Sequence, residues 1–272
     1  MKRKEYLGTS KVYGTESFIN DALPSEWIMK RFPTGIETLD ELIDGGFPRP
    51  SAISILGEVG VGKSLLCRQI MWNALRQGVN VLFYLTEEPV DEMKEDLLRY
   101  GWDIDIFQKE GRLKVVDVFS KGVKFVEESV MEPEELVKKS FNFFEILKEG
   151  RDYYFKAIGG GDLLVFFDSL STVFLGMETR KALAFVQNLK WATRVARCVG
   201  IATLETKVHD DKVENTIKSY SDGIIEMKVI EKDGKIIHYM NIPKMSRSDY
   251  YQGLCSYNIG KDGFTFSRQV FE

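Results

Sequence analysis

The sequence predicts an α/β fold, a mostly parallel sheet flanked by helices and extended at its C-terminal end by antiparallel hairpins. Three observations predict it. From about residue 50 to 206, short β-branched or aromatic runs alternate with longer segments of helical apolar spacing, the rhythm of strand–helix–strand units. The first such strand runs into Gly57-Glu58-Val59-Gly60-Val61-Gly62-Lys63-Ser64, the G-x-x-x-x-G-K-[ST] spacing of a phosphate-binding loop, which needs a strand before it and a helix after it. Past Ser221 the rhythm changes to strands joined by tight turns.

Composition sets the bounds. A chain of 272 residues with 44% hydrophobic content suits one α/β domain with an added sheet or arm. We divide it into an N-terminal arm over 1–29 and a domain over 30–272. A net charge of −4 argues against general adhesion to nucleic acid or anionic membrane. Cys67, Cys198 and Cys255 are far apart, odd in number and without C-x-x-C spacing, so they read as reduced, mostly buried thiols. Met1 to Gly14 lacks a signal-peptide core, and the apolar run Leu163 to Phe167 is far too short to span a bilayer. The expected location is cytoplasmic.

In the arm, Trp27 and Ile28 are expected to pack on the same domain or on a neighbouring surface, the first being favoured. Phe32 to Pro48 reads as a turn, a short helix with Ile36, Leu39, Leu42 and Ile43 inward, and a stop at Gly45-Gly46. Ala52 to Leu56 is a buried strand. The glycines after it let successive N–H groups face inward at the positive end of the next helix, Leu65 to Gln77, with Leu66, Ile70 and Ala74 on one stripe. In that cradle Gly57 to Leu65 would hold a triphosphate. Lys63 would reach the β and γ phosphates, and the Ser64 hydroxyl would bind Mg²⁺. The competing reading is a Gly-rich turn with a solvated lysine.

Val79 to Leu85 has the profile of a second buried strand and runs into Thr86-Glu87-Glu88-Pro89. Ligands gather beyond the carboxyl ends of parallel strands, so Glu87 and Glu88 can face the phosphate loop, or they can serve a helix N-terminus. Pro133 to Ile158 has helical character, with Gly150 as a possible break and Gly159 to Gly161 as a loop. Phe141, Phe143 and Phe144 read as core, or as a partner surface.

Leu163 to Asp168 is a buried strand ending in a carboxylate. A charge beside an apolar core needs a cation or hydrogen bonds, and an Mg²⁺ shared with Ser64 would meet that need; a helix cap is the alternative. Glu178 to Val199 predicts a helix with Ala182, Val186, Leu189, Ala192 and Ala196 inward and Gly200 as its stop. Ile201 to Leu204 is a further strand, ending at Glu205-Thr206. Ile224 to Ile230 and Lys235 to Ile242 flank Asp233-Gly234, and Tyr257 to Ile259 and Phe264 to Phe266 flank Gly260 to Gly263, giving two hairpins. His209 and His238 stand alone and read as structural or exposed.

Five landmarks in order resemble the KaiC-like ATPases of the RecA superfamily: Thr34-Gly35-Ile36 through Pro48, the phosphate loop, Glu87-Glu88, Asp168-Ser169-Leu170-Ser171, and the C-terminal hairpins. Pro50 departs from the glycine usual there. The resemblance implies a RecA-like core that binds ATP with Mg²⁺ and hydrolyses it. One of Glu87 and Glu88 would activate water, with Glu87 favoured by its position nearer the strand end. Glu205 or Thr206 would stand where the superfamily senses the γ phosphate, unless their polarity is that of any strand end. It also implies a homo-oligomer, a hexamer by family, in which Lys244 and Arg247 would reach a neighbour's γ phosphate. Here Lys244-Met245-Ser246-Arg247-Ser248 lacks the family's Gly and His and shifts its Arg by one residue, so a solvated turn stands beside the trans-acting role.

Two other function classes stay open. A recombination accessory would bind single-stranded DNA through loops after Asp168 and Glu205. In the second loop, however, Lys207, Lys212 and Lys218 are balanced by Asp210, Asp211 and Glu214. A nucleotide-operated switch would bind ATP with little turnover and work through a protein partner. The altered Lys244 to Ser248 stretch favours it.

Overall fold

The structure, a computed structural model, describes residues 30–128, 143–158, 162–175, 179–232 and 234–267. The arm over 1–29, the first part of the helix expected from Pro133, Phe141, the Gly159 to Gly161 loop, Glu178 and Asp233 lie outside them, as do the side chains of Phe143 and Phe144.

Strands β1 (Arg31–Phe32) and β2 (Phe47–Pro48) pair antiparallel and bracket helix α1 (Glu37–Leu42). Leu39 and Leu42 turn inward, and Asp40 accepts the N–H groups of Thr34 and Gly35 at 2.7 and 3.0 Å. The expected glycine stop is there, with Gly45 and Gly46 at φ 90 and 123. A side chain at Gly46 would collide with the backbone of Phe32, so only glycine lets the two short strands close.

The main elements follow as β3 (Ser51–Gly57), α2 (Lys63–Arg76), β4 (Asn80–Leu85), α3 (Val90–Leu98), α4 (Asp105–Lys109), β5 (Leu113–Asp117) and α5 (Val118–Glu128). Then come α6 (Phe143–Ile158), β6 (Leu163–Asp168), α7 (Leu170–Leu175), α8 (Thr179–Ala196), β7 (Val199–Glu205) and α9 (Asp211–Tyr220). The chain closes with β8 (Gly223–Lys232), β9 (Lys235–Met245), β10 (Cys255–Gly260) and β11 (Gly263–Ser267). Among the described residues, nine strands form one sheet in the order β11-β10-β9-β8-β3-β7-β6-β4-β5. From β5 to β8 neighbours are parallel, and from β8 to β11 they are antiparallel, as the change of rhythm at Ser221 predicts.

Alternation along the strands sorts side chains to two faces. Ile53, Ile55, Phe83, Phe166 and Ile201 pack on the side that carries α2, where Leu66, Ile70, Met71 and Ala74 meet them. Leu56, Leu82, Tyr84, Phe167 and Leu204 pack on the other, with residues of α8 and α9.

Two glycine readings are corrected. Gly150 does not break a helix but sits inside α6, where a Cβ would run into the Tyr84 ring and hydroxyl. It is small because α6 crosses β4 there. Gly200 does not stop α8. That helix ends at Ala196, the turn is made by Arg197 at φ 50, and Gly200 is the second residue of β7, where a Cβ would strike the Thr193 side chain. Among the described residues no helix is long and apolar enough to cross a membrane.

Candidate functional site

The phosphate loop leaves the end of β3 as Gly57 and enters α2 at Lys63. Gly60 and Gly62 take φ of 79 and 92, conformations that residues with a Cβ adopt at a cost. No side chain caps α2, whose N-cap is Gly62, so its first amides are left for an anion. Val59 at the tip is exposed and Val61 is buried.

The loop is strapped from outside. The Tyr257 hydroxyl, on β10, donates to the Val61 carbonyl at 2.7 Å, and the Phe264 amide, on β11, donates to Gln69 Oε1 at 2.8 Å. A Cβ on Gly62 would meet Ile259 and Phe264, and one on Gly57 would meet the Met227 carbonyl.

Around this loop the parallel strands deliver their ends. Asp168 is buried at the end of β6, and its Oδ1 accepts from Ser64 Oγ at 3.0 Å and from Thr203 Oγ1 at 2.7 Å. Burial pushes the Asp168 carboxyl up, while the nearby Arg68 guanidinium and the two hydroxyls pull it down. Of the two residues that could cap the next helix, Asp168 or Ser169, Ser169 does so: its Oγ accepts the Ser171 amide at 2.9 Å at the start of α7. Thr86 ties the ends of β4 and β6 together, its amide donating to the Asp168 carbonyl at 2.9 Å.

Lys63 Nζ donates to the carbonyls of Gly57 and Glu58 at 2.9 and 2.7 Å. Burial lowers its pKa, against the opposing through-space pull of Glu205, Glu87 and Asp168. Glu58 faces outward, paired with Lys207 at 2.7 Å. Leu65 packs at the edge of the core.

Glu87 and Glu88 separate sharply. Glu87 is exposed, and Thr172 Oγ1 donates to it across a long 3.4 Å. Glu88 is paired to the buried Arg68, whose other terminal nitrogen lies 3.7 Å from Asp96. Neither glutamate caps α3: the Val90 amide donates to Asp117 Oδ2 at 3.0 Å.

On the remaining side, Thr206 donates its amide to the Gly57 carbonyl at 3.0 Å, and the Glu205 amide donates to Ser171 Oγ at 2.8 Å. Lys244 and Arg247 lie elsewhere. Lys244 Nζ donates to the carbonyls of Lys218 and Ser219 at the end of α9, 3.4 and 3.3 Å away. Arg247, at φ 64, donates to the Pro50 carbonyl, just ahead of β3. The strand between Pro50 and the loop has 7 residues. At about 3.3 Å each that is roughly 20 Å, so Arg247 does not serve its own chain's loop.

Sequence reasoning did not find Arg68, Thr203, Gln69 or Tyr257. Thr203 had a signal in strand parity, since it falls on the same face as Ile201 and adjoins β6. Arg68 sits one helical turn beyond Ser64, which places it on the same side of α2.

Comparison with known proteins places this geometry. Residues 32–269 match the KaiC ATPase family. A UPF0273 protein of Thermotoga maritima is 28% identical over 229 residues, covering 80% of this chain and 88% of its own length. Another from Saccharolobus solfataricus is 30% identical over 224 residues, covering 80% of this chain and 75% of its own. The crystal structure of a KaiC-like protein from Pyrococcus horikoshii superposes with a TM-score of 0.70 at 23% identity, covering 88% of this chain and 99% of the other, and shares the fold. With its phosphate loop, its two acidic strand ends and its antiparallel C-terminal strands, the chain belongs to the KaiC ATPase family.

Proposed function

We propose that this protein binds ATP with Mg²⁺ in the Gly57 to Ser64 cradle and hydrolyses it, for regulation or signalling. The observation that carries the reading is the meeting of Ser64 Oγ and Asp168 Oδ1 at 3.0 Å at the mouth of a phosphate loop whose helix amides no side chain caps. An oxygen-only pair with a buried carboxylate suits a hard cation, and the uncapped amides of α2 suit phosphate. Ser64 and Asp168 would hold Mg²⁺, which when bound supplies charge neutralisation on the phosphates.

The residues then divide the labour. The loop amides and Lys63 bind the β and γ phosphates and stabilise the charge that develops as the terminal bond breaks. Thr203 and Ser64 orient the Asp168 carboxylate. Glu87, exposed and held by little, orients a water and accepts its proton, whereas Glu88 is committed to Arg68 and shapes the site from behind. In a homo-oligomer, Lys244 and Arg247 would act on a neighbouring copy after leaving the carbonyls they now hold. Their grip on their own chain's carbonyls favours a second reading, a nucleotide-operated switch answering to a protein partner. Nucleic acid is not favoured, because Lys207 and Lys218 are spent on Glu58 and Glu226.

The test is a set of three variants assayed for ATP·Mg binding and phosphate release. Lys63→Ala should lose binding at least ~100-fold, and Glu87→Gln should keep binding while turnover drops by ~100-fold or more. Glu88→Gln should retain more turnover than Glu87→Gln. Wild-type turnover in Glu87→Gln would refute the base assignment. Binding without release in the parent would establish the switch.

A further inference from the structure

On the sheet face away from α2, a cavity of about 510 Å³ lies between the sheet, α6 and α8. Its floor is built by two consecutive cross-strand pairs of small residues, Ala52 with Gly200 and Ser54 with Ala202, on β3 and β7. Ala52, Gly200 and Ala202 are only half-buried although they belong to the central strands of the sheet. Larger residues raise the walls, with Tyr84 and Phe167 on one side and Val186 and Leu189 on the other. Tyr154 of α6 donates to the Ala192 carbonyl of α8 at 2.7 Å, spanning the two helices along one side.

The polar groups of the lining are one-sided. The charged residues among the described ones that line it are Lys148, Arg151 and Lys190, all cations, with no carboxylate among them. Lys190 also lies 3.3 Å from Asp222, and Arg151 3.7 Å from Asp152, so Lys148 and Arg151 on the exposed side of α6 are the charges nearest solvent. A volume in this range is that of a small-molecule pocket, and apolar walls with a few polar groups at one end are how such pockets set orientation.

We propose that this cavity is a ligand site for an amphipathic anion, an acyl chain or apolar ring system ending in one carboxylate. The chain would lie on the Ala52, Ser54, Gly200 and Ala202 floor, and the carboxylate would meet Lys148 and Arg151. Large side chains at Ala52 or Ala202 would fill the space, while Gly200 is small because Thr193 packs over it. The inference is independent of the nucleotide reading, since it uses the opposite face of the sheet.

The experiment titrates the full chain with 1-anilinonaphthalene-8-sulfonate, which carries apolar rings and one anionic group, and then displaces it with decanoate, decanol and decylamine. The expected result is saturable binding at one probe per chain, displaced by decanoate at least tenfold more effectively than by decylamine. Lys148→Glu with Arg151→Glu should weaken decanoate about tenfold and leave decanol within about twofold. Ala202→Leu should remove binding of all three while the chain keeps a cooperative thermal transition. Absence of saturable binding, equal displacement by decanoate and decylamine, or full binding in a folded Ala202→Leu chain would each overturn the proposal.

Discussion

The two faces of the central sheet are made by alternate residues of the same strands, yet they are built to different standards. On the α2 side, Ile53, Ile55, Phe83, Phe166 and Ile201 are large and at most 1% exposed. On the other side the same two central strands offer Ala52, Ser54, Gly200 and Ala202 and leave a hollow. The chemistry continues the filled series. Asp168 follows Phe166 by two residues and Thr203 follows Ile201 by two, so both side chains project from the packed face toward Ser64. A buried carboxylate held by two hydroxyls stands on the filled face, and the slack is kept on the other.

The sharpest way to break this contrast is truncation. Phe166→Ala should cost about 3–5 kcal/mol in denaturant unfolding, while Val165→Ala, facing the hollow, should cost less than half as much. Equal losses would show that the faces are alike. Adding volume should reverse the order. Ala74→Leu in α2 should destabilise by about 1–3 kcal/mol through overpacking, and Ala202→Leu should be neutral or stabilising.

The acidic pair sharpens the picture near the site itself. Glu88→Gln should lower stability by about 1–2 kcal/mol, because buried Arg68 keeps only Asp96, whereas Glu87→Gln should stay within about 0.5 kcal/mol. Identical unfolding midpoints would remove the distinction between them.

The smallest effect lies at the other end of the strands, just ahead of β6. Burial there opposes the shift, but Arg49 and Lys30 together hold the Asp162 carboxyl below its usual range. Its contribution is therefore present above the unfolded value near 3.8 and lost as pH falls through the lower folded value. Asp162→Asn should flatten the acid limb of the stability curve in that window, and an unchanged limb would count against the pairing.

How much of this was legible depended on distance along the chain. The strand, loop and helix around Gly57 to Ser64 could be read locally, because the spacing, the glycines and the apolar stripe lie within one stretch. So could the hairpin at Gly234, whose φ is 70. Gly150 and Gly200 misled for a shared reason: their smallness answers to Tyr84 and Thr193, contacts made in three dimensions, and not to the local backbone. The split between Glu87 and Glu88 was visible only as a guess from strand position. What decides it is Arg68, on another helix, and the antiparallel strap over the loop is set by Tyr257, 196 residues away from Val61.

That strap has a consequence for synthesis. The cradle's letters are complete once residue 64 has been made, but the wall that shapes Val61 and Gly62 arrives with the last hairpin. A ribosome-bound chain short of Tyr257 carries the loop's sequence without its finished walls, so the shape around Val61 and Gly62 waits on residues nearly two hundred positions downstream.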